Sequence, residues 1–450
     1  MAAPPPVDPT AELTDTDLEV DVDRSTFRSL HVRNFRLFFT GQLVSQTGSW
    51  LSMVVQTLLV LKLAGSGVSL GLLMACQFGP VLVLGAWAGA IADRADKRKL
   101  LITVQALSMV QSAALGVVVL AGWASVPVIF ALAAVQGVLT AFDNPTRRAF
   151  VVEMVPPADV SNAVSLNSAV MTASRVVGPA VAGVLVVNLG YGWPFLIDAL
   201  SYVAVLVGLV MMRPGELFRS TPTAKGKGQV RAGLRYVRSE PVLFVPMVMM
   251  TIIGTLAFNF SVTVPLLVKG PLGGDTTAFT LLFSALSAGS LVGALLTARR
   301  TEVTTLQVVA SSAAFGVGML ALAAVPGLGL TFPVAILLGL GSIGFLTSTT
   351  ALVQLRAAPE YRGRVLALQG MVFLGSTPIG GPIVGWVSDV AGPRAGIALG
   401  GTACLVAAAY GARALGLRGD DLVARSNREA DERAEALAAE AAVDEVALAD

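Results

Sequence analysis

Residues 67–91 read GVSLGLLMACQFGPVLVLGAWAGAI, twenty-five positions without a charged side chain, and the next eight, ADRADKRK, hold six charges. A helix needs about 20 apolar residues to cross the hydrocarbon core of a bilayer. The abrupt switch therefore marks a helix leaving the membrane at a basic turn. Eleven further runs of the same kind occupy residues 37–61, 100–121, 126–146, 165–189, 194–213, 242–268, 277–298, 304–325, 330–354, 363–388 and 394–415. Hydrophobic residues make up 54% of the chain, mean hydropathy is +0.74, and charged residues are only 13%, about half their share in a soluble domain. The sequence specifies an all-α membrane protein with twelve transmembrane helices.

The basic residues sort by side. Loops after even-numbered spans carry Arg94, Lys97, Arg98, Lys99, Arg147, Arg148, Arg213, Arg219, Lys225, Lys227, Arg231, Arg235, Arg238, Arg299, Arg300, Arg356, Arg362 and Arg364; the opposite loops carry Lys62, Lys269 and Arg394. Positively charged loops stay in the cytoplasm. The expectation is a multi-pass protein of the inner (cytoplasmic) membrane with both termini inside. The net charge of +2 hides this sorting and gives no reason to expect a nucleic-acid partner. Span one is expected to act as its own insertion signal, because the segment before it is polar and acidic.

The halves echo each other. Gly178-Pro179 recurs as Gly381-Pro382, 203 positions later, and Gly89 recurs as Gly293, 204 positions later. Parallel repeats about an axis along the membrane normal are a hallmark of alternating-access transporters. The divisions expected are a tail with an interfacial helix at 1–34, a six-helix bundle at 35–213, a basic cytoplasmic linker at 214–241, a second six-helix bundle at 242–416 and an acidic tail at 417–450. Residues 24–36, with Arg24, Arg28, Arg33 and Arg36 among Phe27, Leu30 and Phe35, read as a short interfacial helix. His31, the only histidine, sits in that arm, outside any pathway through the bilayer. Cys76 and Cys404 fall in separate halves and imply neither a disulfide framework nor a metal site.

One turn carries more than topology. Gly89-Ala90-Ile91-Ala92-Asp93-Arg94-Ala95-Asp96-Lys97-Arg98-Lys99 resembles the Gly-x-x-x-Asp-Arg-x-Gly-Arg-Arg signature of the major facilitator superfamily, with Asp96 at the second glycine. Gly89 suits close helix approach, and Asp93 suits the positive end of a neighbouring helix. The resemblance implies a cytoplasmic gate built from Gly89, Asp93, Arg94, Lys97 and Arg98, joined by Asp143 and Arg147. Further stretches, Asn34-Phe35-Arg36, Asp143-Asn144-Pro145-Thr146-Arg147-Arg148 and Arg175-Val176-Val177-Gly178-Pro179, are similar to the exporter branch that includes enterobactin exporters and macrolide efflux pumps, the transmembrane secretion effectors. Gly178, Pro179 and Gly183, with Ser174 at a usual glycine, resemble the antiporter motif. Its glycines permit close packing against the other half, and Pro179 removes a backbone donor.

Two charges lie within the spans. Arg175 falls near the middle of span five and Asp198 near the outer end of span six, about 7 Å apart in height at 1.5 Å per residue. Intramembrane ionisable groups are costly and either pair or line a path. Two readings stay open: a structural Arg175–Asp198 ion pair, or uptake of a coupling proton by Asp198 when Arg175 turns away.

The resemblance implies a central cavity lined by spans one, four, seven and ten. Each has polar residues at helical spacing: Gln42, Gln46, Ser49, Met53 and Gln56; Gln136, Thr140 and Asn144; Thr251, Thr255 and Asn259; Thr347, Thr350 and Gln354. Met249 and Phe258 are expected as pliable and aromatic lining. Such a cavity suits an amphipathic, largely neutral solute.

No phosphate-binding loop appears, and no nucleophile or metal cluster, so neither an enzyme nor a cofactor is expected. The expected function is secondary active export of amphipathic small molecules, drug-like or metabolite, by alternating access and proton antiport. Protons, solute and lipid would be its partners, and the chain is expected to act as a monomer. The alternatives are a dedicated siderophore or metabolite exporter and, in another class, a non-transporting sensor or assembly partner working through its acidic tail.

Overall fold

The computed structural model describes residues 26–218, 229–298 and 303–416. The early tail, the centre of the linker with Arg219, Lys225 and Lys227, the Arg299-Arg300 pair and the acidic tail lie outside them. The described chain is helical throughout: α1 Arg33–Ala64, α2 Gly67–Arg94, α3 Lys97–Leu120, α4 Val126–Glu153, α5 Val160–Leu189, α6 Gly192–Met211, α7 Gln229–Ser239, α8 Pro241–Leu256, α9 Phe260–Lys269, α10 Thr276–Ala298, α11 Thr305–Ala324, α12 Leu328–Arg356, α13 Pro359–Ala391 and α14 Pro393–Ala414. Twelve stretches are long and apolar enough to span a bilayer, with α8 and α9 together making the seventh.

An even number of crossings returns the chain to the face it left. The face holding Arg33 and Ala414 is called here the terminal face, and the other the distal face. Several helices run past the apolar limits at the terminal face; α4 continues to Glu153 and α5 starts at Val160. In place of an interfacial helix over 24–36 there is one 3₁₀ turn, Arg28–His31, followed at once by α1. That turn is pinned: Arg28 pairs with Asp159 at 3.0 Å, and the Ser29 hydroxyl donates to Asn162 Oδ1 at 2.7 Å.

The helices form two pseudo-symmetric six-helix bundles. α1 packs on α5 and α6, α2 on α4, and α3 on α6; α10 packs on α12, α11 on α12 and α14, and α8 on α13 and α14. The linker helix α7 docks on the second bundle, where Tyr236 stacks on Tyr361 with centroids 4.3 Å apart and Val237 is buried against Leu243 and Val353.

The bundles meet through α2 with α13 and α5 with α10. The first contact is backbone on backbone. A Cβ at Gly71 would run into the Gly381 carbonyl, and one at Gly385 into that of Gly67. Both helices thus present two glycines one turn apart, which lets their axes approach as small-residue pairs do in membranes.

Candidate functional site

Two adjoining cavities sit inside this frame. The first, about 260 Å³, lies in the amino-terminal bundle. α1 contributes Gln46, Ser49, Met53 and Gln56, and α4 contributes Gln136, Thr140, Asp143, Asn144 and Arg147. Neighbouring helices add Gln77, Gln105, Ser108, Gln111, Asp198 and Tyr202. Helical spacing explains the convergence on each element: Gln105, Ser108 and Gln111 recur every three residues on α3, and Asp198 and Tyr202 are four apart on α6.

The wall is a hydrogen-bond network. Gln77 Nε2 donates to Gln56 Oε1 at 2.7 Å, and Gln105 Nε2 donates to Asp143 Oδ1 at 2.7 Å. Arg147 pairs with Asp143 at 2.9 Å and donates to Asn144 Oδ1 at 2.8 Å. Asp198 is 2% exposed. Ser112 Oγ donates to its Oδ2 at 2.7 Å, and Ser201 lies one turn on along α6. Hydroxyls both donate and accept, so this setting serves a carboxylate and a carboxylic acid alike. Buried carboxamide oxygens of Gln77, Gln105 and Gln136, all residues of the cavity wall, have no hydrogen-bond partner.

The second cavity, about 220 Å³, lies between the bundles and shares Trp50, Met53 and Phe78 with the first. Arg175, Asn259, Phe258, Phe260, Phe283 and Phe373 complete most of its wall. Here the seventh span breaks. α8 stops at Leu256, and α9 restarts at Phe260 after Asn259, whose side chain makes no cap to the new helix.

The structure does not bring Arg175 and Asp198 together. Arg175 stacks over the Trp50 ring at 5.2 Å, whereas Asp198 is held by serines of α3 and α6. The two charges thus line different cavities: α1 packs on both α5 and α6, with Trp50 turned to Arg175 and Gly48 to Asp198.

The residues expected on the four lining helices fall in different places. Gln46, Ser49, Met53, Gln56, Gln136, Thr140 and Asn144 line the first cavity, and Met53 and Asn259 the second. Gln42 is instead buried beside Gln46. Thr251, Thr255, Thr347, Thr350 and Gln354 line neither cavity; the four threonine hydroxyls bond carbonyls of their own helices, and Gln354 is exposed. Met249 is core, packed near Gly411. Sequence reasoning passed over Gln105, Ser108 and Gln111, although their spacing was as visible as that on α1.

At the terminal face, Arg98 donates to the Leu209 and Val210 carbonyls at 2.7 and 2.9 Å, capping the carboxyl end of α6. Lys97 pairs with Glu153 at 2.7 Å, and Asp96 caps α3 through the Lys99 amide. Gly89 does not make the close approach expected of it: a Cβ there would meet nothing within 4 Å. Gly183 does face the other bundle, at Thr280, whereas Gly178 packs on Trp50 and Leu51 within its own. Pro179 sits inside α5 without ending it.

A family model described as transmembrane secretion effector matches residues 24–442. The chain is 25% identical to the staphyloferrin A transporter of Staphylococcus aureus over 79% of its own length and 90% of that relative's. It is 23% identical to macrolide efflux protein A of Streptococcus pyogenes over 77% and 87%, and 26% identical to the multidrug efflux pump Tap of Mycolicibacterium fortuitum over 80% and 90%. Among solved structures, a bacterial homologue of the human lysosomal transporter Spinster, inward-facing and unoccupied, superposes with a TM-score of 0.69 at 16% identity, covering 86% of this chain and 97% of that one. The nucleoside transporter NupG gives 0.63 at 15% identity, covering 87% and 98%.

Proposed function

Because the chain belongs to the transmembrane secretion effector family of the major facilitator superfamily, and is thus a multi-pass membrane transporter rather than an enzyme, we propose that it exports amphipathic small organic molecules by proton antiport. The observation that carries this reading is Asp198, a carboxylate 2% exposed on the wall of a polar cavity, with no cation paired to it among the described residues. A charge placed there is costly and marks a transport path. Asp198 takes up the proton, and solute enters where the two cavities join at Trp50, Met53 and Phe78.

Alternating access would proceed by rocking of one bundle against the other about the α2–α13 and α5–α10 contacts. The Asp143–Arg147 pair and the Arg98 cap brace the terminal face, taken as cytoplasmic from its excess of basic residues. Asp93 and Arg94 belong to the same gate. Export of a siderophore is the second reading, suggested by the likeness to the staphyloferrin A transporter.

The test is transport in everted membrane vesicles holding an imposed acid-inside pH gradient. Addition of macrolides, tetracyclines or a carboxylate siderophore should dissipate the gradient for those compounds that are carried. Accumulation that persists after the gradient is collapsed would overturn proton antiport.

A further inference from the structure

The second cavity holds a cation that the protein leaves uncommitted. Arg175 sits midway along α5, where insertion of a charge is costly unless something answers it. Among the described residues no hydrogen bond or ion pair answers it. Its Nε is buried without a partner, and its guanidinium lies over the face of Trp50 at 5.2 Å. Stacking on an aromatic ring satisfies the plane of a guanidinium, and the in-plane N–H fork remains free for a planar oxyanion.

Two further features point into the same space. The break in the seventh span puts the amino end of α9 at Phe260, on the cavity wall and without a side-chain cap. Broken membrane helices offer the positive end of the half-helix dipole to anionic groups in this way. Asn259, at the break, is 2% exposed, and its Oδ1 has no hydrogen-bond partner. It is an acceptor awaiting a donor. Around these polar groups stand Phe258, Phe260, Phe283 and Phe373, with Phe258 and Phe373 edge-on at 5.1 Å.

We propose that this inter-bundle cavity is an anion-recognising subsite, in which Arg175 receives the carboxylate of an amphipathic solute whose aromatic or apolar body lies against the phenylalanines. A hydroxyl or amide N–H near the carboxylate would meet Asn259 Oδ1. At about 220 Å³ the cavity is smaller than the roughly 300–1,000 Å³ typical of ligand pockets, so it takes the head of the solute. The remainder extends past Met53 into the first cavity. The assignment deepens the export reading and rests on it for the word substrate; it replaces the neutral solute expected from the sequence with an acidic one.

The experiment uses the full chain in neutral phosphatidylcholine nanodiscs, where no anionic lipid competes. The probes are the isosteric pair 6-hydroxy-2-naphthoate and 6-hydroxy-2-naphthamide, with binding followed by equilibrium dialysis. Wild type should bind the carboxylate roughly tenfold or more tightly than the amide, the size of one charge-assisted pair. Arg175→Gln should remove that preference, and Arg175→Lys should keep part of it. Equal binding of the two probes by wild type, failure of wild type to bind either, or a preference that survives Arg175→Gln would overturn the assignment. Should Arg175→Gln not fold, the wild-type comparison and Arg175→Lys still decide. No gradient is present, so loss of the preference counts against the subsite alone, whereas failure of gradient-driven transport in vesicles counts against the export reading.

Discussion

Asp389, near the distal end of α13, holds the amino terminus of α2: its Oδ1 accepts from the Gly67 amide at 2.5 Å and its Oδ2 from the Val68 amide at 2.9 Å. The first amides of a helix have no partner within the helix, and a carboxylate is the strongest group to take them. This cap comes from the other bundle, 322 positions away. It lies one turn beyond Gly385, whose backbone already packs on Gly67. The distal ends of the two bundles are therefore tied as well as packed.

Removing the tie should loosen the distal side. Asp389→Ala loses a charged cap of about 1–2 kcal/mol, which shifts a closed-to-open balance roughly 5- to 30-fold. A cysteine placed at Ser261, on the wall of the second cavity, should then react several-fold faster with an impermeant maleimide added to the distal side. Unchanged labelling would show that the cap does not hold this side shut.

Two glycines make opposite predictions. Gly71→Leu forces a side chain into the Gly381 backbone and should cost about 1–3 kcal/mol by overpacking, read as a lower unfolding temperature in detergent. Gly89→Ala fills open space within α2 and relieves a helix of a flexible glycine, so it should not lower that temperature. A destabilised Gly89→Ala protein would mean that the last turns of α2 pack more tightly than described.

Orientation has a direct check. In a background lacking Cys76 and Cys404, Ser125→Cys in the exposed α3–α4 turn should react with impermeant thiol reagents in whole cells. Ser239→Cys, at the end of α7, should react only after permeabilisation. The reverse pattern would invert the assignment of the terminal face to the cytoplasm.

Asp198→Asn keeps the shape of the group held by Ser112, so the protein should fold while gradient-driven efflux is lost and downhill exchange continues. Since Arg175 and Asp198 line separate cavities and share no hydrogen bond, the stability changes of Asp198→Asn and Arg175→Gln should add within about 0.5 kcal/mol. Recovery of uphill efflux in the double variant would exclude Asp198 as the proton carrier.

Much of this architecture is local information. The length and polarity of 67–91 and its eleven counterparts forced membrane helices, because an unpaired backbone cannot sit in hydrocarbon. The spacing on α1 and α4 puts Gln46, Ser49, Gln56, Gln136, Thr140 and Asn144 along one cavity wall, since a helix fixes which residues share a face. Thr251, Thr255, Thr347 and Thr350 share faces by the same rule, yet line neither cavity, and their hydroxyls bond back to their own helices. A stripe shows that residues share a face, and carries no record of what that face meets.

The amino-acid order settled the number of spans, the sorting of basic loops and the presence of Arg175 and Asp198 within spans, because these depend on a residue and its near neighbours in one helix. The fold alone settled the rest. Gly71 meets Gly381, Asp389 caps α2, Arg175 turns to Trp50, and Asp198 turns to Ser112. Each of these depends on the rotation of one helix about its axis relative to another. That angle is set by the simultaneous packing of all twelve spans, and no local pattern encodes it.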